Sequence, residues 1–206
     1  MEYRTIYEPA EGSFVEKKSE FIGYISPVKT NDEAVDFINK IKAQHRKARH
    51  NVYAYVLRDD NITRYSDDGE PQGTAGVPVL DVIQKEGLTD VCVVVTRYFG
   101  GILLGGGGLV RAYSHACKLA VDASKIMIMC ECVKIVVSCD YSFYGKLKFV
   151  VPEFDVKIVD EQFADDVKVT MLVKTDLSEK LKEKLVDLAN GKINMEETTN
   201  LWADFA

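Results

Sequence analysis

The chain has 206 residues, 47% hydrophobic and 28% charged, the balance of a folded globular protein with room for two domains. No apolar run approaches the ~20 residues needed to span a bilayer, and the opening Met1-Glu2-Tyr3-Arg4-Thr5-Ile6-Tyr7-Glu8 lacks the apolar core of a secretory signal, so a cytoplasmic location is expected. The net charge of −6 excludes a uniformly basic nucleic-acid binder, but it is unevenly spread: 16 Lys+Arg face 17 Asp+Glu up to Cys130, and 10 face 15 beyond it.

Asn31–Ala48 predicts a helix, with Ala34, Phe37, Ile38, Ile41 and Ala48 at helical spacing and Thr30 with Glu33 as a capping box. Its end is the cluster His45-Arg46-Lys47-Ala48-Arg49-His50, which suits the helix dipole and equally offers a basic patch. His45 falls on the apolar stripe and reads as a core residue. Two β-type runs follow, Val52–Arg58 and Thr63–Ser66, joined by Asp59-Asp60-Asn61 as a hairpin. The polar loop Ser66–Gly73 carries Asp67, Asp68 and Glu70, three carboxylates that could hold a hard cation such as Mg²⁺ or simply be solvated. Apart from that Mg²⁺, no cofactor is expected. A short helix is predicted from Thr74 to Glu86 and a buried strand over Thr89–Thr96.

The segment Val95–Tyr113 holds six of the fourteen glycines, four of them consecutive: Gly105, Gly106, Gly107 and Gly108. Consecutive glycines cost backbone entropy, and their use is to bring main-chain N–H groups close to something. A helical pattern starting at Leu109 places them at a helix N-terminus, where an anion is favoured. Arg97 and Arg111 bracket the run, and Arg111 and His115 share a helix face. Two plainer readings are a tight turn with solvated arginines and a helix packed closely on its sheet.

Beyond Cys130 the pattern resets. Val133–Cys139 reads as a strand, Tyr141–Val151 as a helix, and Val156–Gln162 with Val167–Lys174 as a strand pair. A helix marked by Leu177, Leu181, Leu185 and Leu188 follows, then a strand over Lys192–Trp202. The order β-α-β-β-α-β is ferredoxin-like. This part has no arginine or histidine, so ligand chemistry is expected before the cut, and a docking or stabilising role after it. Domains are therefore set at 1–130 and 131–206 in an α+β protein. Five cysteines without a C-x-x-C pair argue for reduced thiols.

Four blocks in order, Lys47-Ala48-Arg49-His50-Asn51, Ser66-Asp67-Asp68-Gly69-Glu70-Pro71, Gly73-Thr74-Ala75-Gly76 and Arg97-Tyr98-Phe99-Gly100-Gly101 with Leu104-Gly105, resemble the IMPACT/YigZ family over almost the whole chain. The resemblance implies an N-terminal fold similar to the second domain of a small-subunit ribosomal protein (S-five), to elongation factor G domain IV and to GHMP kinases. It implies a C-terminal ferredoxin-like fold similar to elongation factor G domain V. Eukaryotic relatives act in translational control through the activator of an initiation-factor kinase. They use an extra N-terminal RWD domain, which this sequence is expected to lack.

Two functions follow. The first is binding of structured RNA or the ribosome, or of a translation-linked protein, by Lys47, Arg49, His50, Arg97, Tyr98, Phe99, Gly105–Gly108, Arg111 and His115 gathered on one face, phosphates meeting cations and bases meeting aromatics. The second is an enzyme on a phosphorylated small molecule, with Gly105–Gly108 as a kinase-like phosphate loop and His50 or His115 moving protons. Its implied serine-rich motif is absent after the glycines, so no enzymatic reaction is assigned.

Overall fold

The computed structural model describes residues 1–205, the side chain of Asp60 excepted. These form ten strands and five α-helices in two compact units, Tyr3–Met127 and Ile128–Phe205, the latter including Met1–Glu2. Among the described residues no helix is long and apolar enough to cross a membrane.

The chain opens with β1 (Glu2–Ile6), and the N-terminal unit continues with the hairpin β2 (Ala10–Glu16) and β3 (Ser19–Pro27). Helix α1 (Asn31–Gln44) follows, then β4 (His50–Val56), β5 (Thr63–Ser66), α2 (Gly76–Lys85), β6 (Val91–Tyr98) and α3 (Gly106–Ala123). The sheet order is β2-β3-β6-β4-β5, with every pair antiparallel. β6 lies between β3 and β4, so β3-α1-β4 is a split crossover around a central strand. Both faces of β6 are covered, which is why its sequence is a continuous apolar run rather than an alternation. Val91, Val93 and Val95 join Phe21, Ile25, Val52 and Ala54 under α2 and α3, whereas Cys92 and Val94 join Tyr55 and Leu57 under α1.

Helix α1 starts where the capping box predicts: Glu33 N–H donates to Thr30 Oγ1 at 3.2 Å, while the Glu33 carboxylate accepts from Lys29 N–H at 2.7 Å. It ends at Gln44, four residues before the expected limit, with His45 as its C-cap, and the cluster that follows forms a turn. Helix α3 lies close on β2 and β3 because two glycines remove the side chains between them. A Cβ on Gly23 would stand 2.2 Å from the Ala116 carbonyl oxygen, and one on Gly12 would stand 2.8 Å from Leu119 Cβ.

In the C-terminal unit β7 (Ile126–Cys139), α4 (Tyr141–Val150), β8 (Lys157–Phe163), β9 (Val167–Lys174), α5 (Thr175–Leu188) and β10 (Asn194–Asp204) follow in order. The sheet of this unit has five strands, β1 among them, and four of these run in the antiparallel order β10-β7-β9-β8 of a ferredoxin-like sheet, as the pattern of elements predicts. Strand β7 begins seven residues earlier than the expected Val133. The core is Val133, Ile135, Val137, Leu147, Val169, Met171, Leu181 and Leu185. All five thiols are free, four of them buried.

Candidate functional site

The glycine segment leaves β6 at Tyr98 and turns back into α3. Gly100 is required by contact: a Cβ there would lie 2.0 Å from the Lys18 carbonyl carbon, and its N–H donates to Ser19 Oγ at 3.1 Å. Gly101 and Gly105 hold φ of 83° and 72°, which favour glycine. Gly106 and Gly107 answer to neither demand. Both are exposed, and a Cβ on either would find its nearest neighbour at 4.0 Å. The close-packing reading therefore holds for Gly100, and for Gly108 against Leu104, but not for the two residues that open α3.

Those residues present the unsatisfied amides of the first helical turn. Gly105 at the N-cap has no side chain to accept them. The N-terminus of α2 shows the contrast: Asp67 accepts from the N–H groups of Gly73, Ala75 and Gly76 at 2.9, 3.1 and 2.8 Å. Beside the α3 terminus is a cleft of about 260 Å³ lined by Phe14, Lys17, Gly108, Arg111 and His115, with Glu16 as its one carboxylate. His115 packs edge-on to the Phe14 ring at 4.6 Å. Lys17 and Lys18 form the two-residue loop of the β2-β3 hairpin, both with positive φ, 45° and 64°. Lys17, Lys18 and Arg111 are exposed and form no ion pair among the described residues. Sequence reading missed both lysines, because a Lys-Lys turn carries none of the Asn, Gly or Pro signals of a hairpin loop.

Arg97 requires a correction. It is 6% exposed, and its Nη1 donates to Glu70 Oε1 at 2.6 Å. Tyr113, fully buried on α3, donates its hydroxyl to the same oxygen at 2.8 Å; burial and the adjacent carboxylate push that phenol up. The Arg97 guanidinium lies over the rings of Phe21 and Phe99, centroids 5.4 and 5.5 Å away. His50 stands opposite Arg97 in the β4-β6 register. Its Nδ1 donates to the Asp68 carbonyl oxygen at 2.9 Å, which a carbonyl can only accept, and its Nε2 faces Glu70 at 3.9 Å. Arg97 is thus a structural cation holding a buried carboxylate. Its Nε is the one buried side-chain nitrogen or oxygen without a hydrogen-bond partner among the described residues.

The single continuous face expected from sequence also divides. Arg97 and Tyr98 are consecutive on a strand and point to opposite sides of the sheet. Tyr98 lies on the α1 side, where His45 Nδ1 meets its hydroxyl at 2.9 Å and His45 Nε2 meets the Tyr24 hydroxyl at 2.8 Å. His45 is a half-buried link between two phenols rather than a core residue. Phe99 is 43% exposed, and Lys47 and Arg49 are exposed in the turn before β4. The carboxylates of the 66–73 loop do not converge as a Mg²⁺ site would need. Asp67 takes backbone amides, Asp68 takes Lys42 Nζ at 2.8 Å and Asn51 N–H at 2.6 Å, and Glu70 takes Arg97 and Tyr113. No group of three or more such side chains suited to a metal ion occurs among the described residues.

Residues 17–121 match the Impact N-terminal domain, and residues 137–192 match a domain of unknown function (DUF1949). The chain is 40% identical over 201 residues to IMPACT family member YvyE of Bacillus subtilis, covering 95% of this chain and 90% of that protein. It is 30% identical over 182 residues to IMPACT family member YigZ of Escherichia coli, covering 87% and 89%. A crystal structure described as that of a hypothetical protein superimposes with a TM-score of 0.61 at 28% identity, covering 94% of this chain and 96% of the other. The order of the four sequence blocks, the two-unit fold and these matches agree: the chain belongs to the IMPACT family.

Proposed function

We propose that the N-terminal unit binds structured RNA, free or in ribosomal particles, as part of a translation-linked regulatory role. The observation that carries this reading is the uncapped, exposed N-terminus of α3 at Gly106–Gly107, beside the unpaired cations Lys17, Lys18 and Arg111. Backbone amides and a helix dipole favour a phosphate there, and neighbouring cations release counterions on binding. Phe99 offers an exposed ring and His115 an exposed imidazole at the same end of the unit. Translational control by the family's eukaryotic members, and the similarity to elongation factor domains IV and V that the family implies, supply the context. The small-molecule enzyme reading draws on the same glycine turn, but its metal-holding carboxylates, Asp67, Asp68 and Glu70, are already engaged.

The test is RNA binding and co-sedimentation with ribosomal particles across a salt series. Each phosphate contact contributes about −0.7 (single-stranded) to −0.9 (duplex) to the slope of log affinity against log salt, so the double variant Lys17→Ala/Arg111→Ala should lower the slope magnitude by about 1.4–1.8. Binding that ignores salt, or that survives the double variant unchanged, refutes the proposal.

A further inference from the structure

The C-terminal unit carries an exposed aromatic face that none of its own elements covers. Tyr141 opens α4 and Phe163 closes β8; they are 54% and 56% exposed, with rings stacked at 6.5 Å and 27°. Tyr144 meets Phe163 edge-on at 5.4 Å. The arrangement is held in place, since the Tyr141 hydroxyl donates to the Ala164 carbonyl at 2.8 Å and the Tyr144 hydroxyl donates to Glu161 at 2.8 Å. Phe163 lies on β8, the outer strand of the sheet.

The surrounding charge names the occupant. Strand β8 and its turn hold Asp160, Glu161, Asp165 and Asp166 against Lys157, whose Nζ donates to the Asp204 carbonyl; Glu161 is paired with Lys148 of α4 at 3.5 Å, and the same ammonium lies over the Tyr144 ring at 5.0 Å, so the cluster already takes one cation on a ring face. Asp165 and Asp166 are exposed and form no ion pair among the described residues, and these two are the free carboxylates next to Phe163; Asp160, opposite Thr170, lies on the other face of the strand. The part of the chain after Cys130 has 10 Lys and no arginine against 15 Asp+Glu. A fixed aromatic pair rimmed by free carboxylates suits a cation lying on a ring face, arginine above all. Register also breaks between Ile158 and Asp160, which blunts β8 as a template for strand addition and leaves side-chain contact as the mode of docking.

We infer that this face docks a lysine- and arginine-rich extended segment of a partner protein. The inference is independent of RNA binding by the other unit. The probe is a synthetic twelve-residue peptide of alternating arginine and glycine, titrated calorimetrically into the full chain, with amide shifts followed by NMR. Binding should shift resonances of Tyr141, Phe163 and their neighbours. Phe163→Ala removes an exposed ring and keeps every charge. It should weaken binding about fivefold, the upper end of an exposed cation–π contact, while the chain stays folded with a thermal midpoint lowered only by the lost contacts to Tyr141 and Tyr144. Asp165→Asn/Asp166→Asn should weaken binding and flatten its salt dependence, while Lys17→Ala/Arg111→Ala should leave it intact. Equal affinity for the wild-type chain and Phe163→Ala would reduce the effect to bulk charge and overturn the inference. So would a concentration-dependent dimer in sedimentation equilibrium that Phe163→Ala abolishes, which would assign the face to a second copy.

Discussion

Arg97→Ala separates a structural from a ligand-binding arginine. In the native unit the guanidinium is buried, its Nη1 is 2.6 Å from a Glu70 carboxylate that is itself 5% exposed, and it spans two aromatic rings. Alanine leaves that carboxylate with the Tyr113 hydroxyl at 2.8 Å and His50 Nε2 at 3.9 Å. Stranding one partner of a buried ion pair costs about 3–5 kcal/mol, a large share of the stability of a unit this size. The midpoint of thermal unfolding should fall on the order of 10–15 °C, with a matching loss in urea unfolding by circular dichroism. Arg97→Met/Glu70→Gln, which retains the volume and removes both charges, should recover most of the loss. A loss under 1 kcal/mol in Arg97→Ala, or weakened RNA binding at full stability, would refute the assignment of Arg97 as the internal counter-charge of Glu70.

The opening glycines of α3 give a second test. Gly107→Ala finds space and gains helix propensity, so stability should hold or rise by up to about 1 kcal/mol, whereas Gly105→Ala at φ 72° and ψ 165°, a backbone region that is essentially glycine-only, should lose about 1–3 kcal/mol in the same urea assay. Gly23→Ala would push α3 off β3 through the Ala116 carbonyl, and a loss of about 3 kcal/mol or more is expected in thermal unfolding. Burial pushes the Cys92 and Cys117 thiols and the Tyr113 phenol up, so each stays neutral in the folded chain where the unfolded chain ionises. Their contribution is fully present below the ordinary thiol value of 9.0 and is lost as pH rises above it toward the folded values. The thermal midpoint should therefore decline above pH 9 and decline less in Cys92→Val/Cys117→Val.

The helices and the C-terminal unit are legible because their signals are local. Thr30 and Glu33 bracket the start of α1, and the leucine spacing of α5 and its Asn190-Gly191 stop fall where the helix ends. The N-terminal hairpin is not legible: β2 reads Ala-Glu-Gly-Ser-Phe-Val-Glu with a weak alternation, and its turn is Lys-Lys. Strand β7 starts early because Ile126–Met129 is apolar at every position and shows no period of two. At the site, the glycine-to-helix order is visible in sequence and holds. The cluster of Glu70, Arg97 and Tyr113 is not, since its members lie 27 and 43 residues apart. The split between Arg97 and Tyr98 follows from strand geometry alone, once both are placed in β6.

The lysines at the tip of the first hairpin have a cost. Both sit in a backbone region that Asn-Gly would occupy with less strain, so a chain selected for thermostability alone would exchange them. Keeping lysine there moves the sequence away from its stability optimum in the direction of added positive charge, a trade found where activity rather than folding sets the residue. The same strain fixes the Cα positions of both lysines, so on the RNA-binding reading proposed above less disorder would be lost when their ammonium groups close on a phosphate.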